Sequence, residues 1–137
     1  MENCLFCKIA KGKIPSNTIY EDEDVLAFLD IEPATKGHTL IIPKKHSKNI
    51  LDINPEELKK INVVSQKIAK HYKKNIPECK GINIIQSSEA AAQQEVMHYH
   101  MHVVPRYQDD KRDVWKQMKI KKIDIDLERF TEEFTLC

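Results

Sequence analysis

The stretch His98-Tyr99-His100-Met101-His102-Val103-Val104 decides the fold, because three histidines alternate in it with apolar residues. Side chains on a β-strand point alternately to its two faces, so the pattern predicts imidazoles on one face and a core-facing apolar set on the other. An imidazole can be a covalent nucleophile when its neighbours orient it and protonate the leaving group. Three imidazoles can instead hold a catalytic zinc ion with one open position. The chain has only six histidines, and this strict alternation argues against a chance surface cluster.

The hydrophobic pattern around this stretch predicts further strands and one long helix. Asn54 and Pro55 form a helix start, and apolar residues at helical spacing follow from Leu58 to Tyr72. The predicted elements are a short helix near 4–10, strands at 18–20, 25–29, 38–42 and 82–85, a triad strand at 96–104 ended by Pro105, and a closing helix at 127–134. Few crossover helices separate the strands. The predicted class is therefore α+β, a five-stranded antiparallel sheet with one main helix packed on it and short N- and C-terminal helices.

Length and charge limit the class of protein. The 137 residues fit a single domain, residues 1–137. The 22 Lys and Arg residues nearly balance 21 Asp and Glu residues, which argues against nucleic acid as a partner. No secretory signal or membrane-length apolar run is visible, so we expect a cytoplasmic protein without a membrane partner. Four cysteines in that compartment suggest metal binding or free thiols, although Cys79 and Cys137 receive no role.

Several blocks of sequence, in order along the chain, resemble one known family. The triad stretch fits His-φ-His-φ-His-φ-φ, the signature of the histidine triad (HIT) superfamily of nucleotide hydrolases and transferases. Residues 4–9, 20–31, 37–46 and 105–107 resemble other blocks of that family. The resemblance implies a domain core at 4–107 with a C-terminal extension at 108–137. It is strongest with the bacterial and archaeal Hint-type branch, which implies a homodimer.

The resemblance also implies an enzyme and a mechanism. His100, the middle histidine, would attack the α-phosphate of a purine nucleotide and form a nucleotidyl-histidine that water then hydrolyses. His102 would hydrogen-bond the phosphate and help to protonate the leaving group. A backbone carbonyl of the strand would orient the His100 ring. The substrate would be a nucleoside phosphoramidate or a dinucleoside polyphosphate.

An earlier block would bind the nucleoside. Asp30 matches the acidic residue that accepts hydrogen bonds from the ribose hydroxyls. Phe28 and Ile31 would flank the base. The alternatives are a turn role for Asp30 and plain core packing for Phe28 and Ile31.

The loop before the triad departs from the family pattern. Many relatives have Asn-x-Gly and then Gly-Gln-Ser/Thr, where this chain has Ser87 and Glu89 and then Gln93-Gln94-Glu95. Glycines in such loops let backbone N–H groups approach a phosphate. We expect Ser87, Gln94 and Glu95 to line the phosphate site, where the Glu95 carboxylate would repel a phosphate beside it. The hypothesis is that Glu95 discriminates against polyphosphate chains.

Cys4-x-x-Cys7 lies at the extreme N-terminus, where no strand precedes it as a thioredoxin-like redox motif would require. Resemblance to the metal-containing branch of the superfamily supplies His46 and His98 as two further ligands. Two thiolates and two imidazoles form a closed structural zinc site. Such a site would pin the N-terminal helix to the end of the triad strand. Alternatively, the cysteines are small buried residues and His46 joins the active-site hydrogen bonds.

Two other functions compete with a nucleotide hydrolase. One is a zinc hydrolase whose triad itself holds the metal, and the other is a non-catalytic nucleotide-binding or adaptor protein. His38 and His71 are interpreted as structural, and Trp115 as a packing residue.

Overall fold

The computed structural model describes residues 3–115 and 123–136, and its centre is a five-stranded antiparallel sheet. The strands are β1 (Thr18–Glu21), β2 (Val25–Leu29), β3 (Thr39–Pro43), β4 (Cys79–Ile85) and β5 (Met101–Tyr107), and the helices are α1 (Leu5–Ala10), α2 (Pro55–Asn75) and α3 (Leu127–Phe134). The strand order is β1-β2-β3-β5-β4. The predicted α+β class, with one main helix and short terminal helices, is confirmed.

Each face of the sheet carries its own core. The long helix α2 begins at Pro55, with Asn54 Oδ1 accepting a hydrogen bond from the Glu56 N–H. The core under α2 consists of Val25, Ala27, Ile41, Ile53, Ile61, Val64, Ile68, Tyr72, Tyr99, Met101 and Val103. A second core, Phe6, Leu26, Phe28, Leu40 and Ile42, includes a residue of α1. The apolar set of the triad stretch therefore faces the core, as predicted, and this core lies under α2.

The triad strand starts later than predicted. Pairing of β5 with β3 begins at Met101, opposite Ile41. Before that point, the N–H of Tyr99 donates to the Ser47 carbonyl at 2.7 Å, outside the sheet. His98 and His100 thus precede the strand, and only His102 lies within it. The prediction of a strand from Val96 was wrong because contacts distant in sequence hold this segment off the ladder.

The strand also ends later than predicted. Pro105 does not stop β5, which continues to Tyr107 and pairs Pro105 with Ile82 of β4. Pairing with β3 extends only to Val103, so a residue without an N–H is tolerated beyond it. The Pro105 carbonyl accepts a 2.6 Å hydrogen bond from Thr35 Oγ1.

The loop between β2 and β3 is packed tightly against this end of β5. Gly37 has φ +90°, and a Cβ there would lie 3.1 Å from Cγ of Pro105. The hydroxyl of Tyr107 donates to the Lys36 carbonyl at 2.6 Å. These contacts fix the entry into β3, and with it the position of His38.

The C-terminal region is less buried than the sheet. Trp115 is 62% exposed, so the prediction that it packs into the fold was wrong for this chain. His71 is exposed on α2, as predicted. Cys137 lies outside the described residues. Across the described ranges, no helix is long and apolar enough to cross a membrane.

Candidate active site and metal centre

A cleft of about 530 Å³ opens beside the triad. All eight residues that the sequence assigns to nucleotide binding or catalysis line it: Phe28, Asp30, Ile31, Ser87, Gln94, Glu95, His100 and His102. Ile31 is 88% exposed, which excludes core packing for this residue. Phe28 is buried and packs edge-on against Phe6, so it serves the core and the cleft wall together.

His100 is oriented by the backbone of the segment just before β5. Its Nδ1–H donates to the His98 carbonyl at 2.7 Å. The other ring nitrogen, Nε2, therefore carries the lone pair. The ring is buried and meets the edge of Phe6, with centroids 5.1 Å apart. An oriented imidazole with a free lone pair beside an open cleft has the form required of a nucleophile.

A chain of hydrogen bonds determines the tautomer of His102. The backbone N–H of Ala34 donates to His38 Nδ1 at 3.0 Å. The His38 proton must then be on Nε2, which lies 2.8 Å from Nδ1 of His102. His102 is left with its proton on Nε2, as a donor. Burial lowers the pKa of His102 to about 4, so the ring is neutral at pH 7.

Sequence reasoning missed His38. Burial lowers its pKa, and the nearby carboxylate of Asp30, with Oδ2 3.7 Å from Nε2, opposes that shift. The other oxygen of Asp30 accepts the Glu32 N–H at 2.8 Å, so the turn role considered for Asp30 is present. The only available signal was the position of His38 at the start of a strand. The register of β3 against β5 explains why His102 is its partner. Leu40 pairs with His102, and His38 lies two residues before Leu40 in the chain.

The loop before the triad has positive φ angles at two residues that are not glycine. Glu89 has φ 73° and Gln93 has φ 67°, the two positions where many relatives have glycine. Both polar atoms of the Gln94 side-chain amide have their full set of hydrogen bonds: Oε1 accepts from Glu89 N and Asn49 Nδ2, and Nε2 donates to the carbonyls of Lys48 and Val96. Gln94 therefore lines the cleft as a support for the loop.

The four residues expected to bind zinc converge at the far side of His98. Cys4 Sγ and Cys7 Sγ lie 3.3 and 3.5 Å from Nδ1 of His98, and His46 Nδ1 lies 3.2 Å from it. Cys7 Sγ is 3.3 Å from His46 Nδ1. Ligand atoms around a tetrahedral zinc ion lie about 3.3–3.8 Å apart. The donor set therefore fits a zinc ion.

Local structure prepares this centre. Cys4 caps α1, and its Sγ accepts the Cys7 N–H at 3.4 Å, so one turn of helix brings the two thiols together. His98 is fully buried, and its Nε2–H donates to the Pro43 carbonyl at 2.8 Å. The lone pair of Nδ1 is thereby aimed at the thiols, as in many metal sites.

The triad does not converge on one point. Within the part of the chain that the structure describes, His98 groups with Cys4, Cys7 and His46, and His102 groups with His38 and Asp30. No group there contains two of the three triad histidines. The geometry therefore does not favour a zinc ion held by the triad itself.

Comparison with known proteins identifies the family. A family model for the HIT domain matches residues 11–109. "Protein hit" of Bacillus subtilis is 49% identical over 106 residues, which cover 77% of this chain and 72% of that protein. The chain therefore belongs to the HIT domain family, whose members are generally nucleotide hydrolases.

Two further relatives bear on the two sites. An adenosine 5′-monophosphoramidase of Candida albicans, HNT1, is 40% identical over 107 residues, covering 76% of this chain and 70% of that one. The crystal structure of a Zn-bound histidine triad family protein from Mycobacterium smegmatis matches with a TM-score of 0.78 and 42% identity, covering 82% of this chain and 81% of that one.

Proposed function

We propose that this protein hydrolyses purine nucleotides at the α-phosphate through a nucleotidyl-histidine on His100. The observation that carries the proposal is the 2.7 Å bond from His100 Nδ1 to the His98 carbonyl, which leaves Nε2 as a nucleophile at the cleft. The substrate is a nucleoside phosphoramidate or a dinucleoside polyphosphate. The similarity to an adenosine 5′-monophosphoramidase supports the first of these.

In the first step, Nε2 of His100 bonds to the α-phosphorus and the bond from phosphorus to the leaving group breaks. The leaving atom keeps the electron pair and takes a proton from water in the cleft, while the Nε2–H of His102, set as a donor by His38, holds a phosphate oxygen by a hydrogen bond. In the second step water attacks phosphorus, the P–Nε2 bond breaks, and the attacking water gives up one proton to the solvent. Splitting the displacement in two lowers the barrier of each part.

Phe28 and Ile31 are proposed to hold the base, and Asp30 the ribose. Ser87 and Glu95 are proposed to lie along the phosphate and leaving group, on a loop supported by Gln94. The exposed side chain of Ile31 is available for such a contact, because it belongs to neither core cluster.

We propose that Cys4, Cys7, His46 and His98 hold a structural zinc ion. A closed set of four protein ligands leaves no position for substrate, so the metal would hold α1 against the triad segment. The likeness to a Zn-bound family member supports this assignment.

We propose a cytoplasmic homodimer. Cysteines that form no disulfide among the described residues, Cys4, Cys7 and Cys79, suit a reducing compartment. Strand β4 is an edge of the sheet, with Ile84 exposed on it, and an unpaired edge can pair with a second copy. Light scattering coupled to gel filtration is expected to give twice the chain mass, and a monomer at micromolar concentration would contradict it.

The decisive experiment looks for the covalent intermediate. Protein mixed with a slowly hydrolysed adenylyl phosphoramidate and quenched in alkali is expected to carry one adenylyl group, mapped by mass spectrometry to His100. The His100→Ala variant should carry none and should lose turnover. The exposed His71→Ala variant is the control. Absence of the adduct together with undiminished turnover in His100→Ala would refute the nucleophile and favour a nucleotide-binding adaptor.

A further inference from the structure

The charge of the cleft is one-sided. Among the residues that the structure describes, its lining holds three carboxylates, Asp30, Glu32 and Glu95, and no lysine or arginine. His102 adds no positive charge at pH 7, because burial lowers its pKa to about 4. Proteins that bind several phosphates use Lys, Arg or metal cations to neutralise them. The lining residues that the structure describes include no lysine or arginine that could do so.

The side chain of Glu95 has no hydrogen-bond or ion-pair partner among the described residues, whereas the backbone on either side of it is fixed by hydrogen bonds. No hydrogen bond or ion pair to its side chain is found among residues 3–115 and 123–136. Nε2 of Gln94 donates to the Val96 carbonyl at 3.0 Å and to the Lys48 carbonyl at 2.7 Å, which fixes the chain on both sides of Glu95. Asp30, by contrast, already faces His38 and the Glu32 N–H.

The position of the Glu95 carboxylate favours or disfavours a leaving group according to its charge. Glu95 belongs to the segment that leads directly into the triad, and it shares the cleft with His100 and His102. A leaving group with several phosphates would bring more negative charge towards this carboxylate. An amine with a second, positively charged group would be attracted. Because Glu95 is exposed, the effect should weaken as salt increases.

We propose that Glu95 selects the leaving group by charge, so that preferred substrates are nucleoside 5′-phosphoramidates whose leaving amine carries a further positive charge. This rests on the proposed function and deepens it. His100 Nε2 bonds to phosphorus, the P–N bond breaks, and the nitrogen leaves with the electron pair and takes one proton from water. A second water then supplies the hydroxyl of the nucleotide and returns one proton to the solvent.

The test compares three adenosine 5′-phosphoramidates of equal chain length. Their leaving amines are 1,4-diaminobutane, butylamine and 4-aminobutanoate, which are cationic, neutral and anionic. The wild-type kcat/KM should fall in that order. Glu95→Gln should reduce the cationic-to-anionic ratio about five- to tenfold, and 0.5 M NaCl should reduce the wild-type ratio in the same direction. Equal ratios in wild type and Glu95→Gln would overturn the proposal.

The matched control is Glu89→Gln, which removes the same charge from the same loop outside the cleft lining. It should keep the wild-type ratio, and an equal loss there would show a general charge effect and overturn the role of Glu95. Failure of the proposed function is a different result: none of the three compounds is turned over, or His100→Ala turns them over equally well.

A binding measurement keeps the inference testable even then. Calorimetry with AMP and with ATP, without divalent metal, should show weaker binding of ATP by the wild-type protein. Glu95→Gln should narrow that difference about fivefold, and Glu89→Gln should not. ATP bound as tightly as AMP by the wild type, with no change in Glu95→Gln, would overturn the proposal whatever the turnover.

Discussion

In a neutral imidazole, the hydrogen bond made by one ring nitrogen decides whether the other nitrogen donates or accepts. By this criterion the three histidines of the triad differ. His98 gives its Nε2–H to Pro43 and turns Nδ1 to the thiols. His100 gives its Nδ1–H to a carbonyl and keeps Nε2 for the cleft. His102 accepts at Nδ1 and donates at Nε2. One repeated residue type thus provides three different functional groups.

Replacing His38 should weaken catalysis through His102. In His38→Ala the Nδ1 of His102 loses its 2.8 Å partner, so the proton can settle on either nitrogen. We expect kcat to fall roughly ten- to a hundredfold with a smaller change in KM. Stopped-flow kinetics on an adenylyl phosphoramidate across pH 5–9 would measure both constants.

The control for His38→Ala is His71→Ala, an exposed histidine of α2, which should keep wild-type kinetics. A shift in the acidic limb of the pH profile is expected only for His38→Ala, and a purely structural role would not produce it. An unchanged kcat and pH profile in His38→Ala would contradict the hydrogen-bond chain.

Backbone strain in the loop before the triad gives a second prediction. Glu89 has φ 73° and ψ 165°, a region that glycine alone occupies readily. Glu89→Gly should therefore raise the free energy of unfolding by about 1 kcal/mol. Glu89→Ala is the matched control and should give no gain, because its Cβ suffers the same strain. Urea unfolding would measure both, and equal stabilities for the two variants would disprove the strain.

At the scale of elements, local pattern predicts much of this fold and fails where distant contacts decide. The spacing from Leu58 to Tyr72 and the cap at Asn54 are sufficient to predict α2. The start of β5 is not predictable in this way. It depends on the contacts of His98 with the Pro43 carbonyl and the thiols and on the hydrogen bond from Tyr99 N–H to the Ser47 carbonyl. These contacts join residues far apart in sequence.

In the candidate site, too, local sequence pattern predicts some features, while others depend on contacts between distant residues. The alternation of the triad predicts which side chains enter the core and which face the other side. The place of His38 beside His102 required the register of β3 against β5, which a single sequence does not contain. The saturated amide of Gln94 likewise depends on Lys48 and Asn49, which lie across a loop contact.

Loss of one thiol should release α1. Protein purified without added metal should contain about one equivalent of zinc, and Cys4→Ser less than half. The same change should lower the free energy of unfolding by more than about 2 kcal/mol, since metal binding and folding are coupled. Plasma emission spectrometry and urea unfolding would test this. Cys79→Ser, a buried thiol outside the cluster, should retain the metal. Less than half an equivalent in the wild type would contradict the zinc site.

For the whole molecule, the triad stretch connects the two sites. It runs from the thiol cluster at His98, through the carbonyl that orients His100, to the hydrogen-bonded pair in β5. The same stretch supplies Tyr99, Met101 and Val103 to the core under α2. Stability and site geometry therefore depend on one segment, and a change in protonation there should affect the whole fold.

Stability should accordingly fall with acidification. The pKa of His102 is about 4 in the folded protein and 6.5 by reference, because burial disfavours its charged form. Between these values the unfolded chain binds a proton that the folded chain does not, so the stabilising contribution is complete above pH 6.5 and is lost as pH falls towards 4. The loss from this group is at most about 3 kcal/mol.

The matching variant isolates this contribution. His102→Asn cannot titrate, so urea unfolding between pH 7.5 and 4.5 should show a smaller loss of stability than in the wild-type protein. All other side chains are the same in both proteins, so their effects cancel in the difference. That difference should grow as the pH falls from 6.5 to 4.5, because the pKa of the buried ring lies near 4. Parallel stability curves would mean that His102 titrates alike in the folded and unfolded chain, which is incompatible with a buried neutral imidazole that donates from Nε2.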